Sequence, residues 1–292
     1  MRVSVGIPFF NNEKTLLNAI KSVFCQTFQD WELILIDDGS SDNSLNIARR
    51  IKDPRVRLIS DGVNKGLIVR LNQMVNMARG EYFARMDADD LMHPDRLHKQ
   101  VEFLDAHPDV DFVATAIYII DDQNQITGKR GDIMSNISGK DVLRRAPYVH
   151  PTITGRTVWF RNNPYDPLFV RAEDRELWCR TFGRAQAAIL PEPLFFYREL
   201  GSFNISKYIA SKKTDMKIIT KYGPSIVGYL GTFSLLCKEW MKYIIYKIFT
   251  LIGLEQILIR RRSKVISDKE KEIAEKVISY ILSTSISGID QA

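Results

Sequence analysis

A chain of 292 residues, 45% hydrophobic and 26% charged, has an ordinary globular composition and is long enough for one large domain or two small ones. Its three cysteines, Cys25, Cys179 and Cys237, are scattered and form no Cys-x-x-Cys pair, which argues against a disulfide framework or a zinc site and suits a reducing cytosol. The net charge of +6 is unevenly placed: Lys207 to Lys264 holds twelve Lys and Arg against three Asp and Glu, a local +9 that leaves −3 for the rest. That asymmetry argues against a nucleic-acid-binding core and for one basic appendage that meets an anionic surface.

Met1-Arg2 runs straight into Val3-Ser4-Val5-Gly6-Ile7, without the basic, apolar and cleavage regions of a signal peptide, and this run reads as a buried strand. Leu16, Leu17, Ile20, Val23 and Phe24 then recur at helical spacing. Trp31 to Ile36 is the next predicted strand, ended by Asp37-Asp38-Gly39-Ser40, and Ser41-Asp42 can cap a helix bearing Leu45, Ile47, Ala48 and Ile51. Val56 to Ile59 reads as a strand, Leu67 to Ala78 as a helix and Tyr82 to Met86 as a fourth strand. Pro94 is placed just inside a helix carrying Leu97, Val101 and Leu104. Beyond residue 108 the pattern loosens: a strand over Val110 to Ile120, a turn at Asp121-Asp122-Gln123-Asn124, a polar stretch to Gly139 and a short helix near Asp141 to Arg145. No internal repeat or low-complexity tract is present.

Strands alternating with helices mark an α/β protein, and helical crossovers require parallel neighbours whose ligands collect at the carboxyl ends of the strands. Pro8, Asp37-Asp38 and Asp87-Ala88-Asp89-Asp90 all stand just past such ends, so one crevice can gather them. In Asp87-x-Asp89 the two carboxylates share a face and offer oxygen ligands to a hard divalent cation. Alone, an Asp-x-Asp also reads as a solvated acidic turn that caps the next helix.

Four motifs in order carry a resemblance. Val3-Ser4-Val5-Gly6-Ile7-Pro8-Phe9-Phe10-Asn11-Asn12-Glu13, Ile36-Asp37-Asp38-Gly39-Ser40-Ser41-Asp42, Asn64-Lys65-Gly66 and Met86-Asp87-Ala88-Asp89-Asp90 together resemble the family-2 glycosyltransferases of GT-A fold. His150-Pro151-Thr152, Glu173-Asp174-Arg175-Glu176-Leu177-Trp178-Cys179-Arg180 and Phe196-Tyr197-Arg198 extend the likeness over roughly residues 3 to 205. The resemblance implies a Rossmann-like, mostly parallel sheet flanked by helices. It further implies transfer of a sugar from a nucleotide-sugar, commonly a UDP-sugar, to an acceptor hydroxyl with inversion. Residues 1–205 then form the catalytic domain, with a nucleotide-sugar half to about 108 and an acceptor half over 109–205, and residues 206–292 form a basic helical extension.

Carried onto this chain, the family pattern makes Asp89 the more direct metal ligand, with Asp87 beside it, for manganese or magnesium. A departing nucleotide diphosphate needs its growing negative charge neutralised, which is work a Lewis acid can do. Asp90 caps the following loop or reaches the sugar. Asp38, with Asp37 beside it, matches the base-recognition position, where a carboxylate can accept the single imide N–H of uracil; the same four letters also read as a turn and a cap. Pro8, Phe9, Asn11, Glu13, Lys65, Gly66 and Ala88 complete the expected nucleotide pocket, although Glu13 reads equally as a first-turn helix carboxylate. The resemblance places the general base at Asp174 and His150, Glu173 and Arg180 on the acceptor side, with His150 also readable as a satisfied loop histidine.

The chain departs from the family after His150-Pro151, where a polar Gly155-Arg156-Thr157 insertion is expected in place of an apolar strand. It has no Gln-x-x-Arg-Trp, the mark of processive synthases, so a single addition is expected, onto a lipid-linked glycan in O-antigen or capsule-type polysaccharide or lipopolysaccharide synthesis. Two alternatives stay open: a catalytically silent nucleotide-sugar-binding protein, and a phosphatase with Asp87 as nucleophile. The run Tyr222 to Cys237 is too short to span a bilayer and contains Pro224, Gly228 and Gly231. Trp240, Tyr243, Ile244, Ile248, Phe249, Leu251 and Leu254 follow, mixed with Lys242, Lys247 and Arg260-Arg261-Arg262. They read either as a helix in a membrane interface, peripheral on the inner face of the cell membrane, or as a subdomain packed on protein, including a homo-oligomer partner. Ile273, Val277 and Ile281 mark a last amphipathic helix.

Overall fold

The computed structural model describes residues 1–131, 137–199, 205–251 and 266–289, without the side chains of 205–210 and 250–251. Its centre is β1 (Val3–Phe9), β2 (Trp31–Asp37), β3 (Val56–Ser60) and β4 (Tyr82–Arg85), joined by α1 (Leu16–Phe24), α2 (Ser44–Arg49) and α3 (Leu67–Met77). These four strands are parallel in the order β3-β2-β1-β4, with Phe9 beside Asp37 and Asp37 beside Ser60. Side chains of successive strand residues point to opposite faces, so Leu33 and Leu35 join Val5, Ile7, Leu16 and Ile20 on one side while Ile34 and Ile36 join Leu71, Met74 and Phe83 on the other. Each fully buried Leu, Ile or Val contributes about 1.5–3 kcal/mol, and a sheet covered on both faces needs the near-continuous apolar runs that β1, β2 and β4 carry.

The second half of the sheet is mixed. After β5 (Leu91–Met92) and α4 (Arg96–Ala106) come β6 (Phe112–Ile120), β7 (Ile126–Arg130), α5 (Gly139–Arg144), β8 (Thr154–Arg156), α6 (Thr157–Asn162), α7 (Glu173–Thr181) and β9 (Ala187–Arg198). Among the described residues the sheet has nine strands, ordered β3-β2-β1-β4-β8-β6-β9-β5 with β7 on β6. Strand β8 is antiparallel to both β4 and β6. The expected polar insertion at Gly155-Arg156 is therefore a central strand: a Cβ on Gly155 would sit 2.5 Å from that of Phe112, so only glycine lets β8 approach β6. The Arg156 guanidinium reaches the carbonyls of Leu104, His107 and Val110, which makes a basic residue compatible with that position.

Smaller corrections concern ends. Asn43 rather than Ser41-Asp42 is the N-cap of α2, although the Asp42 carboxylate still accepts from Ser44 N at 3.0 Å. Helix α4 starts at Arg96, two residues beyond Pro94. Strand β7 occupies part of the expected polar stretch.

The C-terminal extension is packed against the rest of the fold, its first helix on α5 and α7 and its last on α1 and β7. In α8 (Ile205–Leu251), which breaks at Gly228 (φ 73°), Ile218, Ile219 and Leu235 belong to the same core as Trp178 and Phe112. Buried Lys212, Asp215 and Glu239 pair across the break, and Arg175 of α7 pairs with Asp215. Beyond the break, Tyr229, Leu230, Phe233, Trp240, Met241, Ile244 and Ile248 are exposed, and Leu254 and Arg260–Arg262 lie outside the described residues. No helix among the described residues is long and apolar enough to cross a membrane. Helix α9 (Asp268–Ser283) lies against α1 and β7 and buries Ala274, Ile278 and Ile281, while Ile273 of the expected stripe is exposed.

Candidate active site

At the carboxyl edge of β1 and β2 two loops are stapled together. Asn11, held at φ 54°, accepts through its side-chain oxygen from Ser41 N at 2.8 Å and Asp42 N at 3.3 Å, and Glu13 accepts from Asn43 N at 3.1 Å. Gly39 stands at φ 77°, where a Cβ would lie 2.9 Å from Asn64 N, so the turn after β2 requires glycine on both counts. Asp37 accepts from Ser40 N at 2.9 Å and Ser60 Oγ at 2.8 Å. Asp38, nearly buried, accepts from Lys65 N at 2.8 Å, from Gly66 N at 3.0 Å and from the Arg70 Nε at 2.8 Å. Three donors leave one of a carboxylate's roughly four lone-pair positions. Arg70, fully buried and also paired with Asp61, fixes the loop bearing Lys65 and Gly66, a role its place inside a helix did not reveal.

Two expected pocket residues belong to the core. Pro8 and Phe9 are the last residues of β1 and both buried; the Phe9 ring packs with Leu16 and Ile7, and the exposed aromatic at this edge is Phe10. Ala88 is likewise buried in the core, so it can offer a ligand only its backbone. The Lys65 ammonium pairs with Asp61 at 2.7 Å.

The strand-end carboxylates are arranged differently. Oxygens of Asp87, Asp89 and Asp90 lie within 4.8 Å of one another. Burial first, then the neighbouring Asp87, raises the Asp89 carboxyl above its ordinary range. Asp90 is buried and pushed well up by desolvation and by Asp89 and Asp87. One Asp90 oxygen accepts from Arg198 N at 2.7 Å; the other is buried with no partner among the described residues. Three mutually repelling carboxylates, one with an orphaned oxygen, suit a hard divalent cation. Asp90 thus joins Asp87 and Asp89 in the set.

Two arginines hold this loop: Arg198, from the quoted Phe196-Tyr197-Arg198, and Arg85, which lies outside the quoted motifs. Arg198, at the end of β9, donates from Nε to the Asp89 carbonyl at 2.7 Å and from Nη1 to that of Asp121. Arg85, two residues before Asp87 and nearly buried, pairs with it at 2.6 Å, while its Nε and Nη1 have no partner among the described residues. Burial opposes the Arg85 charge, and Asp87, Glu173 and Asp90 support it through space. The Arg85 charge thus acts through space on both the strand-end cluster and the start of α7.

At the start of α7, burial and the adjacent Asp174 push Glu173 up to about 7. Burial also raises Asp174, whose Oδ1 accepts from Arg175 N at 2.7 Å. Asp174 lines a cavity of about 780 Å³, with Thr115, Tyr148, Arg171 and Lys212 also in its wall; Asp87 and Asp89 do not line it. His150 is buried with its Nε2 2.8 Å from the Tyr165 hydroxyl, and burial, with Arg85, holds its ring well below the usual histidine range. Arg180 is outside the cavity wall and donates to Glu176 at 2.9 Å and to the Pro164 carbonyl at 2.6 Å.

Known proteins resemble this chain in sequence and fold. Residues 4–169 match the model of the glycosyl transferase family 2. The chain is 35% identical to Bacillus subtilis EpsE over 206 residues, covering 68% of this chain and 73% of that one. It is 31% identical to an uncharacterized glycosyltransferase of Haemophilus influenzae over 239 residues, 75% of this chain and 74% of the other. Among solved structures, S. aureus TarS residues 1–349 in complex with UDP superposes with a TM-score of 0.62 at 17% identity, covering 82% of this chain and 71% of TarS. The mannosyltransferase PcManGT of Pyrobaculum calidifontis, in complex with GDP-Man and Mn2+, gives 0.60 at 15% identity over 97% of this chain and 85% of its own. The phosphatase alternative falls with these matches: the chain has the GT-A fold and belongs to glycosyltransferase family 2.

Proposed function

We propose that this glycosyltransferase moves one sugar, with inversion, from a UDP-sugar to a hydroxyl of a lipid-linked glycan in surface-polysaccharide assembly, with a bound manganese or magnesium ion. The observation that carries the reading is the under-partnered cluster of Asp87, Asp89 and Asp90 at the end of β4, beside a turn that presents Asp38. Residues 1–108 supply the donor side, residues 109–205 the acceptor side and residues 206–292 the attachment. UDP is favoured over a guanine nucleotide because Asp38 keeps one lone-pair position, which suits the single imide N–H of uracil better than the paired donors of guanine.

Asp87, Asp89 and Asp90 would hold the cation, which when bound neutralises charge on the departing diphosphate. Arg85 orients Asp87, and Arg198 fixes the backbone of the same loop. Asp174 takes the proton of the attacking hydroxyl; its raised pKa makes it a stronger base than an exposed aspartate. A thermal-shift panel of nucleotide-sugars with and without manganese or magnesium tests the donor reading. Cation-dependent stabilisation by one UDP-sugar is expected, about 2.7 kcal/mol at a hundredfold excess over Kd. Stabilisation by a GDP-sugar alone, or by none, would overturn it, and donor binding without turnover on any acceptor extract would leave the silent binding protein.

The attachment reading rests on the exposed apolar residues of α8 beyond Gly228 and on Lys238, Lys242 and Lys247 among them, a pattern that suits the interface of an anionic membrane on its cytoplasmic side. Truncating α8 would remove Ile218 and Ile219 from the core, so point substitutions are the cleaner probe. Leu230→Ser with Phe233→Ser should abolish flotation with anionic liposomes and leave the fold intact. Equal flotation of variant and parent would refute attachment by this face.

A further inference from the structure

The cavity beside Asp174 is strongly basic. Seven Arg and Lys side chains line it against the carboxylates of Asp174 and Asp215. Part of that charge is internal to the fold: Lys212 and Arg175 pair with Asp215, and Lys242 pairs with Glu239. Arg144 and Arg171 are different. Both are exposed, and neither has a hydrogen-bond or ion-pair partner among the described residues. Arg175, only 6% exposed, keeps a buried Nε without a partner among the described residues.

The backbone adds a second line of argument. Arg171 stands at φ 70°, a left-handed conformation that a long side chain seldom adopts, three residues before the proposed base. Strain of this kind persists where the surroundings hold it, and it clusters at functional sites. Arg144 comes from the other wall, in the last turn of α5. Guanidinium groups from two separate elements thus face one space, with Tyr148 and Ile189 providing an apolar wall suited to a sugar ring.

We propose that this cavity binds a phosphate or diphosphate ester carried by the acceptor, close to the hydroxyl that Asp174 deprotonates. The inference rests on the reading of Asp174 as the base. A neutral glycan would make no use of the charges of Arg144 and Arg171, and a single carboxylate would engage only one of them bidentately. A phosphate or diphosphate matches their number and offers the paired oxygens that guanidinium forks bind bidentately. The cavity, at about 780 Å³, has room for the ester together with a sugar ring.

The test is calorimetric titration of inorganic pyrophosphate into the full chain, in a constant excess of magnesium and with UDP saturating the nucleotide pocket. The parent is compared with the double variant Arg144→Gln, Arg171→Asn; asparagine tolerates the left-handed backbone. One pyrophosphate site is expected in the parent, with binding at least tenfold weaker in the double variant and UDP affinity equal in both. Equal pyrophosphate binding by the two proteins, or none by the UDP-saturated parent, would overturn the proposal. UDP affinity is measured first, so failure of the donor reading shows as lost UDP binding in the parent and is distinct from failure of the cavity. Should the double variant itself lose UDP, Arg144→Gln alone carries the same comparison. Displacement of pyrophosphate by farnesyl diphosphate ahead of glucose 1-phosphate assigns the ester to a lipid carrier, and the reverse order assigns it to a phosphorylated glycan. Displacement by neither would also overturn the site.

Discussion

Two groups of aspartates stand at the carboxyl edge of one sheet, and they are treated oppositely. Asp37 and Asp38 are met by Ser40, Ser60, Lys65, Gly66 and Arg70, so their charge is largely spent on shaping two loops. Asp87, Asp89 and Asp90 share the arginine at position 85, a backbone N–H and one another, and desolvation raises two of them. The first group is an architectural element that leaves one position for a ligand. The second is left unstable in its charged form, so that a cation has something to bind. Identical residue types at equivalent strand ends thus divide stability from chemistry.

The division predicts opposite phenotypes. Asp89→Asn should lower kcat by about 10³-fold, the scale on which losing an electrostatic stabiliser of a developing charge is felt. Its urea midpoint in cation-free buffer should hold or rise, because a repelling carboxylate is gone. Asp38→Asn should behave in reverse: about 3 kcal/mol of stability lost, since Arg70 and two backbone donors lose a charged partner in a buried place. Unfolding by the first substitution, or an undisturbed midpoint for the second, would break the distinction.

Glu173 sharpens it by titration. Its folded-state pKa of about 7 lies above the ordinary 4.5, so the folded chain holds that proton more tightly than the unfolded one. Stability from this group is therefore full below pH 4.5 and is lost as pH rises through 7. Glu173→Gln should remove roughly 2–3 kcal/mol of that decline, read as a flatter stability profile between pH 5 and 8. An unchanged slope would place Glu173 with the partnered group.

Much of the donor half was legible because its strands are buried on both faces and so advertise themselves as apolar runs; β1, β2 and β4 are apolar along most of their length and lie at the positions expected. The acceptor half hid its strands. Thr154-Gly155-Arg156 reads as a loop because its burial depends on a glycine contact with β6 and on carbonyls supplied from residues 104–110. In β7 only Ile126 and Gly128 are buried, too few for a visible period. The carboxylates were found by motif, whereas Arg70 and Arg85 were missed and Arg198 was quoted without a role, because an arginine's task is set by partners distant in sequence. Phe9 is buried and Phe10 exposed, a difference set by the alternation that builds the strand.

Arg198 has a consequence for the order in which this protein can be made. The loop of Asp87 to Asp90 enters β5, whose sheet partner is β9, and Arg198 N holds Asp90. A nascent chain that has cleared the ribosome only through its first hundred residues has therefore already displayed every donor motif, yet it cannot close the donor site. Nearly a hundred more residues must be synthesised before the acidic loop acquires its strand and its arginine. Fragments cut after α4 should keep the signature letters and lack the site, so the gene segment that looks sufficient is not the unit that works.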